Sequence, residues 1–352
     1  MPPYQVLVVD DSIFMRKLIT DLISENSLYS VIATAKNGKE AVEKTKQYKP
    51  DVITMDVEMP EMDGLQALKI IMREIPTPVI MLSNLTKTGA SETIQALEWG
   101  AVDFVKKPSG SISLDMHKIK HLLYEKLEIA VNSKVKNNLV QASQFERKLP
   151  HTKVATIHKG FNQIVALGTS TGGPRALQQV VSMIPEAFPA PILIVQHMPP
   201  NFTKSLAQRL DTMSKIRVVE AENGMPLEAS TAYIAPGGYH MTIYKDSQKN
   251  YCIRTSKEDP RSGHRPSVDI MFESLVSFTE LKKYVVLMTG MGSDGAKGMH
   301  ALKKAGAVST IAESEETCIV YGMPRAAVEL QCVDHLLPQH KIAEQLILDV
   351  CK

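Results

Sequence analysis

The sequence predicts an α/β protein with two domains, each built on a doubly wound parallel sheet. Three observations lead to this prediction. The chain has 352 residues, which exceeds one typical domain. Short apolar runs alternate with helical patterns in two separate series, and a polar stretch divides the two series. We therefore expect domains at residues 1–125 and 161–352, joined by a linker at residues 126–160.

The first series contains five short apolar runs with helical patterns between them. Asn37 is a candidate N-cap for one of these helices, because its side chain can accept a hydrogen bond from a backbone N–H of the first turn. The predicted strands lie at residues 4–9, 30–34, 51–55, 78–82 and 102–105. Strands that alternate with helices in this way are typical of a parallel sheet with both faces covered.

The second series has the same alternation, with one exception. The predicted buried strands lie at residues 163–167, 191–196, 284–288 and 307–311. Helical patterns between them include residues 175–183, 268–278 and 296–305. In the exception, which covers residues 231–256, three short apolar runs at 233–235, 241–244 and 251–254 predict a small β-hairpin insertion.

Composition excludes several classes of protein. With 44% hydrophobic residues the chain can form full cores, and with 40 Lys and Arg against 38 Asp and Glu it has no basic excess for nucleic acid. The four cysteines form no C-x-x-C pair, so neither a zinc site nor a disulfide framework is indicated. No signal-peptide pattern or membrane-spanning apolar run is present. We expect a cytoplasmic protein that neither inserts into membranes nor binds nucleic acid.

Polar residues follow the predicted strands of the first domain. Asp10 and Asp11 close the first strand and Asp56 closes the third, while Ser83 and Lys107 follow the fourth and fifth. Since ligands bind at the carboxyl ends of parallel strands, these five side chains should converge on one edge of the sheet. Three carboxylates form a site suited to Mg²⁺, and one of them can act as a nucleophile toward a phosphoryl group. The alternative for each aspartate is a helix N-cap.

The first domain resembles the response-regulator receiver family. The motifs that carry the resemblance are VVDDS at residues 8–12, DVITMDVEMP at 51–60 followed by Asp63 and Gly64, and FVKKP at 104–108. The resemblance covers about residues 3–125 and implies a flavodoxin-like fold.

The receiver resemblance also implies residue roles. Asp56 would be phosphorylated by a histidine kinase, with Asp11, Asp56 and the carbonyl group of Glu58 around Mg²⁺. Asp10, Ser83, Phe104 and Lys107 would support that site. Ser83 occupies the position of the family's Ser or Thr, and Phe104 occupies the position that is often an aromatic switch residue.

The second domain begins with a glycine-flanked serine. The predicted strand at 163–167 is followed by GTSTGGP, which places Ser170 in a strand-to-helix turn. Flanking glycines allow a sharp bend that exposes the hydroxyl group, and the following helix N-terminus offers backbone amides to an oxyanion. The alternative is a glycine-rich loop that binds an anion or a nucleotide.

A catalytic serine needs a base and a group that orients the base. His197 ends the next predicted strand, beside the turn of Ser170, whereas His240 and His264 lie in glycine-flanked loops and are weaker candidates. The alternative for His197 is a loop residue before Met198 and two prolines.

A second glycine turn, GMGSDG at residues 290–295, contains the third candidate. Asp294 can accept the ring proton of His197, and the amides of Thr171 and Met291 are candidate oxyanion donors. The order Ser, His, Asp differs from that of α/β-hydrolases and favours a more Rossmann-like scaffold.

The same glycine turn also fits a different function. Residues 290–295 match G-x-G-x-x-G after a strand, and Glu313 and Glu315 follow about 20 residues later. A dinucleotide fingerprint has this spacing, so a receiver-controlled NAD(P)-binding oxidoreductase is the alternative hypothesis. The pairing of two glycine turns with a histidine at a strand end favours the triad of Ser170, His197 and Asp294.

The second domain resembles the chemotaxis protein-glutamate methylesterase family. The motifs are GTSTGGP at 168–174, QHMP at 196–199, APGG at 235–238, HRPSVD at 264–269 and MTGMGSDG at 288–295. The family often has Ala at the position of Thr169 and Asn at that of Ser293. Together with the receiver, the resemblance covers nearly the whole chain.

The resemblance implies a phosphorylation-activated enzyme of bacterial chemotaxis. It would hydrolyse glutamate γ-methyl esters, and deamidate specific glutamines, on methyl-accepting chemotaxis receptors. Mg²⁺ would serve phosphorylation of the receiver, and the esterase itself would need no cofactor. The unphosphorylated receiver is expected to cover the active site, and phosphorylation of Asp56 to release it.

Overall fold

The computed structural model of the protein describes residues 2–84, 87–107, 114–133 and 160–352. The chain divides into two compact units, Met1–Arg147 and Lys148–Lys352. Each unit contains a parallel sheet whose strands are connected mainly by helices. The predicted fold class is therefore confirmed.

The first unit is one parallel sheet with helices between its strands. Its strands are β1 (Tyr4–Val9), β2 (Tyr29–Ala35), β3 (Val52–Asp56), β4 (Val79–Ser83) and β5 (Asp103–Lys106). Its helices are α1 (Ile13–Ser24), α2 (Gly38–Tyr48), α3 (Gly64–Glu74), α4 (Lys87–Glu98) and α5 (Leu114–Asn132). The strand order is β2-β1-β3-β4-β5, so β1 and β3 are neighbours near the centre of the sheet.

Local sequence explains the starts of the first three helices. Ser12, Asn37 and Asp63 each accept a hydrogen bond from a backbone N–H in the first turn of the helix that follows. These contacts satisfy N–H groups that have no partner within the helix. The predicted N-cap role of Asn37 is confirmed, with a distance of 2.9 Å from its Oδ1 to the nitrogen of Glu40.

Helix α5 extends past residue 125, where we placed the end of the first domain. Helix α5 continues through Asn132, so the first residues of the predicted linker are helical. Residues 134–159, which form most of that predicted linker, lie outside the described residues.

The second unit is built on a seven-stranded parallel sheet and also contains a separate two-stranded sheet. Its strands are β6 (Gln163–Thr169), β7 (Ile192–Gln196), β8 (Arg217–Glu220), β9 (Thr231–Ile234), β10 (His240–Lys245), β11 (Tyr251–Ser256), β12 (Lys282–Leu287), β13 (Ser309–Glu313) and β14 (His335–Leu337). Its helices are α6 (Gly173–Val181), α7 (Phe202–Met213), α8 (Val268–Ser274), α9 (Ala296–Lys304), α10 (Met323–Glu329) and α11 (Gln339–Val350). The order of the large sheet is β14-β13-β12-β6-β7-β9-β8.

The predicted hairpin insertion is present but smaller than expected. Strands β10 and β11 pair antiparallel as a separate two-stranded sheet. The run around Tyr233, which we assigned to the same hairpin, instead forms β9 and pairs parallel with β7 and β8. The reason is burial: all four residues of β9 are buried, as expected for a strand inside a covered sheet.

Strands β6, β7 and β12 lie side by side in the middle of the large sheet. Every residue of β6 and β7 is buried, and the helices α8 and α9 pack against this region through Val268, Phe272 and Met299. The centre of the sheet is therefore a rigid base for the turns at its carboxyl edge.

Among the described helices of the whole chain, none is both long and apolar enough to cross a membrane.

Candidate functional sites

The predicted acidic cluster forms at the carboxyl edge of the first sheet. Carboxylate oxygens of Asp10, Asp11 and Asp56 lie within 4.8 Å of one another. The Nζ atom of Lys107 lies 2.8 Å from Asp10 Oδ2 and 2.6 Å from Asp56 Oδ2. Asp10 and Asp56 are buried, whereas Asp11 is exposed. Three hard oxygen donors at this spacing fit a small divalent cation such as Mg²⁺.

The pKa of Asp56 is higher than is usual for an aspartate. Burial is the largest effect and raises the pKa of Asp56 to about 6, and the negative charge of Asp10 acts in the same direction. The hydrogen bond and positive charge of Lys107 oppose this increase, as does a hydrogen bond from the backbone N–H of Glu58. The side chain of Glu58 is exposed, so only its backbone is part of the cluster.

The two other predicted supporting residues lie next to α4 and within β5. The Ser83 hydroxyl is buried and hydrogen-bonded to helix α4, where its Oγ lies 2.7 Å from Thr93 Oγ1 and 3.3 Å from the carbonyl oxygen of Gly89. Phe104 is buried within β5. In this conformation the Ser83 hydroxyl bonds to α4 rather than to the carboxylates.

In the second unit, the three candidate catalytic residues follow three neighbouring strands. Thr169 of β6 pairs with Gln196 of β7, so Ser170 and His197 are the next residues of adjacent parallel strands. Asp294 lies in the turn after β12, on the other side of β6. The structure therefore brings together all three predicted residues, and each is mostly buried.

The backbone of Ser170 is fixed by three hydrogen bonds. Its N–H donates to the carbonyl of Thr289 at 3.0 Å, and its carbonyl accepts from Gln196 Nε2 at 2.9 Å and Gly173 N at 2.8 Å. A Cβ atom at Gly290 would lie 2.8 Å from Ser170 Cβ, so only glycine allows this approach of the two turns. The turn of Ser170 is thus held by the strands on both sides.

His197 and Asp294 form the expected pair, with a specific ring orientation. His197 Nε2 lies 2.8 Å from Asp294 Oδ2, and His197 Nδ1 is buried without a hydrogen-bond partner. Because the carboxylate can only accept, Nε2 must carry the hydrogen in the neutral ring and Nδ1 must carry the lone pair. Nδ1 is therefore the basic nitrogen of this imidazole.

Asp294 is held by the N-terminus of α8. Its Oδ1 accepts from Ser267 Oγ at 2.8 Å and Asp269 N at 3.0 Å, and its Oδ2 accepts from Val268 N at 2.7 Å. Burial opposes ionisation, but His197 and these backbone N–H groups outweigh it and lower the pKa of Asp294 to about 2. The carboxylate is therefore ionised at neutral pH and cannot rotate without losing several hydrogen bonds.

The contact of His264 with His197 was not predicted from the sequence. Its ring stacks on that of His197, with centroids 3.8 Å apart and planes 7° from parallel. Ser267 was part of a motif but was not assigned a contact with Asp294. His240, the other weak candidate, is fully buried and accepts from the backbone N–H of Ser267 through Nδ1 at 3.2 Å. The motif at residues 264–269 was the available signal, because it is one segment that serves both His197 and Asp294.

The two candidate oxyanion donors lie on different turns. Thr171 is buried directly after Ser170, and its carbonyl accepts from Thr289 Oγ1 at 2.9 Å. Met291 follows Gly290, and its side chain is 40% exposed. Because the amide of Ser170 already donates to Thr289, it cannot serve an oxyanion without breaking that bond.

Comparison with known proteins identifies the family. Residues 165–346 match the family model described as CheB methylesterase, and residues 6–117 match that of the response regulator receiver domain. The chain belongs to the CheB methylesterase family. The chain is 48% identical over 347 residues to a protein-glutamate methylesterase/protein-glutamine glutaminase of Halalkalibacterium halodurans, covering 97% of each chain. A protein of the same name from Thermotoga maritima is 46% identical over 343 residues, again covering 97% of each.

A solved structure supports the same assignment for the second unit. The crystal structure of the Thermotoga maritima CheB methylesterase catalytic domain superposes with a TM-score of 0.51 and 41% sequence identity. The match covers 54% of this chain and 99% of that domain.

The dinucleotide hypothesis for residues 290–295 is not supported. In this member of the CheB methylesterase family Glu313, one of the two acidic residues considered for contact with a ribose, is fully buried. Its carboxylate accepts from the N–H of Thr289 and the hydroxyl of Thr317, each at 2.9 Å. The glycine turn instead positions Asp294 against His197.

Proposed function

We propose that the protein is a phosphorylation-activated protein-glutamate methylesterase with protein-glutamine glutaminase activity. The observation that carries this proposal is the His197–Asp294 pair, which leaves a buried basic Nδ1 on the residue that follows β7, next to the strand that leads to Ser170. The names of the full-length relatives supply the substrate class.

The first half of the proposed reaction forms an acyl-enzyme. Ser170 Oγ attacks the carbonyl carbon of a glutamate γ-methyl ester while His197 Nδ1 takes the hydroxyl proton. The ionised Asp294 stabilises the resulting imidazolium, and the amides of Thr171 and Met291 hold the oxyanion. The tetrahedral intermediate then breaks the bond to the methoxy group, which leaves as methanol with the proton from His197.

The second half restores the enzyme. His197 takes a proton from water, which attacks the acyl carbon, and the bond to Ser170 Oγ breaks as the proton returns to the serine. The products are a glutamate carboxylate and free enzyme. A glutamine side chain follows the same path with ammonia as the leaving group, which gives the deamidation named for the relatives.

The receiver supplies control through Asp56. We assign Asp56 as the phosphoryl acceptor and Lys107 as the cation that pairs with the added charge. Asp11, Asp56 and the carbonyl of Glu58 would hold Mg²⁺, which offsets negative charge on the transferred phosphoryl group. Unphosphorylated receiver is proposed to lower the esterase rate, and phosphorylation to restore it.

The proposed partners follow from these chemistries. A histidine kinase would supply the phosphoryl group, and the methylated cytoplasmic segments of methyl-accepting chemotaxis receptors would be the substrates. The near-neutral charge of the chain favours neither nucleic acid nor an anionic membrane surface as a partner.

Methanol release from methylated receptor membranes tests the proposal. The wild-type protein should release methanol, and a small-molecule phosphodonor with Mg²⁺ should raise the rate. Membranes from cells without the receptor methyltransferase serve as the control. Absence of methanol release in the presence of phosphodonor would contradict the proposal, and binding of NAD(P)H would then favour an oxidoreductase.

A further inference from the structure

Glu313 is a buried carboxylate that is linked through Thr289 to the turn of the proposed nucleophile Ser170, called here the nucleophile turn. It ends β13, is 0% exposed, and uses both oxygens in hydrogen bonds to Thr289 N and Thr317 Oγ1. Burial is the largest effect on its proton affinity and raises the pKa of Glu313 to about 7, against the opposing effect of these hydrogen bonds. The feature to explain is geometric, because a fully buried side chain reaches the backbone of Thr289 with one oxygen.

Thr289 connects Glu313 to the proposed nucleophile. Its N–H donates to Glu313 Oε2 at 2.9 Å, and its carbonyl accepts from the N–H of Ser170 at 3.0 Å. Its hydroxyl donates to the carbonyl of Thr171 at 2.9 Å. All three polar groups of Thr289 are thus engaged: the N–H with Glu313, the carbonyl with Ser170, and the hydroxyl with Thr171 and, at 3.1 Å, with the N–H of Val320.

The same residue begins the second glycine turn. Gly290 and Met291 follow Thr289, and Gly290 is fixed by its N–H, which donates to Val320, and by its carbonyl, which accepts from Met323. Movement of Thr289 would therefore shift Ser170 and one proposed oxyanion donor together.

We propose that Glu313 is a positioning residue for the esterase. It fixes Thr289 through the backbone N–H, and Thr289 fixes Ser170 and Thr171. Its oxygen must reach the Thr289 N–H, so the length of the side chain matters more than its charge. This inference rests on the proposed function, since it assigns Glu313 a part in placing that nucleophile.

Two substitutions of Glu313 separate the effect of side-chain length from the effect of charge. Glu313→Gln keeps the reach and loses the charge, because its amide oxygen can accept from Thr289 N–H. Glu313→Asp keeps the charge and shortens the side chain by one methylene group. We expect Glu313→Asp to lower kcat by roughly 10- to 100-fold with KM changed less than about twofold, because small displacements of a reacting group are costly. Glu313→Gln should retain kcat within about threefold of the wild type.

A matched control comes from the other end of β13. Asp334 accepts from Thr310 N at 3.0 Å and Thr310 Oγ1 at 2.8 Å, so it is another carboxylate that fixes a threonine at the sheet, away from Ser170. Asp334→Asn should lower thermal stability and leave kcat unchanged. All rates are measured on the full chain, well below each variant's unfolding temperature.

Amide hydrogen exchange of Ser170 gives a readout independent of activity. The Ser170 N–H donates to Thr289, so Glu313→Asp should speed its exchange, while Asp334→Asn should not. Where Glu313→Asp does not fold, Glu313→Leu replaces it, since it removes the acceptor of the Thr289 N–H and should lower kcat with KM unchanged.

The outcomes distinguish the inference from the proposed function. A wild-type protein that releases no methanol contradicts the proposed function, whatever the exchange data show. An active wild type with Glu313→Gln as slow as Glu313→Asp, or with kcat and Ser170 exchange unchanged in Glu313→Asp, overturns the positioning role. An unchanged kcat in Glu313→Leu overturns it as well.

Discussion

Asp56 and Asp294 occupy equivalent places in their two sheets but have opposite electrostatic surroundings. Asp56 ends β3 and Asp294 follows β12, and both are 3% exposed at the carboxyl edge of a parallel sheet. The pKa of Asp56 is raised to about 6 by burial, whereas that of Asp294 is lowered to about 2 despite burial. The strand end alone therefore does not decide how a carboxylate behaves.

The difference comes from the neighbours. Asp294 accepts from Ser267, two backbone N–H groups of α8 and His197, all of which stabilise its charge. Asp56 has Lys107 on one side but shares its site with Asp10 and Asp11. A carboxylate that only orients a base is best fixed and ionised, whereas one that accepts a phosphoryl group must stay accessible to a cation and a donor.

The largest effects should come from Ser170→Ala and His197→Ala. Each should lower methanol release by roughly 10³-fold or more, and the double variant should be little slower, because members of a triad act as a unit. Circular dichroism checks that the fold is retained. A His197→Ala protein with near-normal turnover would show that the base lies elsewhere.

Asp294→Asn should have a smaller but clear effect on the same rate. The amide can still accept from the Val268 N–H, but it no longer stabilises the imidazolium and can bind the wrong tautomer of His197. We expect a loss of roughly 10²-fold or more in kcat, smaller than that of His197→Ala. An Asp294→Asn protein as fast as the wild type would show that Asp294 has no role in catalysis, and its contrast with Asp56 would then have no functional meaning.

Because the pKa of Asp294 is lowered in the folded protein, the free energy of unfolding should fall as the pH becomes acidic. Its value is about 3.8 unfolded and about 2 folded, so its stabilising contribution is present above about pH 4 and is lost as the pH falls toward 2. The difference in unfolding free energy between the wild type and Asp294→Asn should shrink by roughly 2 kcal/mol between about pH 5 and pH 2. Urea unfolding at several pH values measures it, and a pH-independent difference would contradict the assignment.

Asp56→Asn should affect regulation rather than chemistry. With the phosphoryl acceptor removed, the rates of methanol release with and without phosphodonor and Mg²⁺ should become equal. Lys44, which pairs with Glu40 away from the acidic cluster, offers a control in Lys44→Ala, which should retain stimulation. Stimulation that persists in Asp56→Asn would place the phosphoryl group on another residue.

Strand ends were the most predictable part of the molecule. The apolar runs that became β6, β7 and β12 each lead directly to a polar or glycine-rich turn, and parallel pairing brings such turns to one edge. That reasoning needs only local sequence and a general rule of topology. It gave the place of Ser170, His197 and Asp294 without knowledge of any side-chain contact.

Contacts made by irregular segments could not be predicted in the same way. The stacking of His264 on His197 depends on a loop in which Arg261 and His264 pair with each other, and no periodic pattern marks it. The edge strands β8 and β14 were missed because they have only four and three residues, too few for a period to appear. Tyr233 was misplaced because a buried run of four residues does not show which sheet it joins.

The arrangement of β6 between β7 and β12 also has a consequence for how the enzyme matures. His197 and Asp294 are 97 positions apart in the chain, and β12 pairs with β6 only after all the intervening residues have been made. Such distant pairings slow folding, because the chain must close a long loop before the contact stabilises it. A nascent chain on the ribosome would therefore hold its serine and histidine for about half of the synthesis of this unit before Asp294 is made. Catalysis would begin only when β12 enters the centre of the sheet.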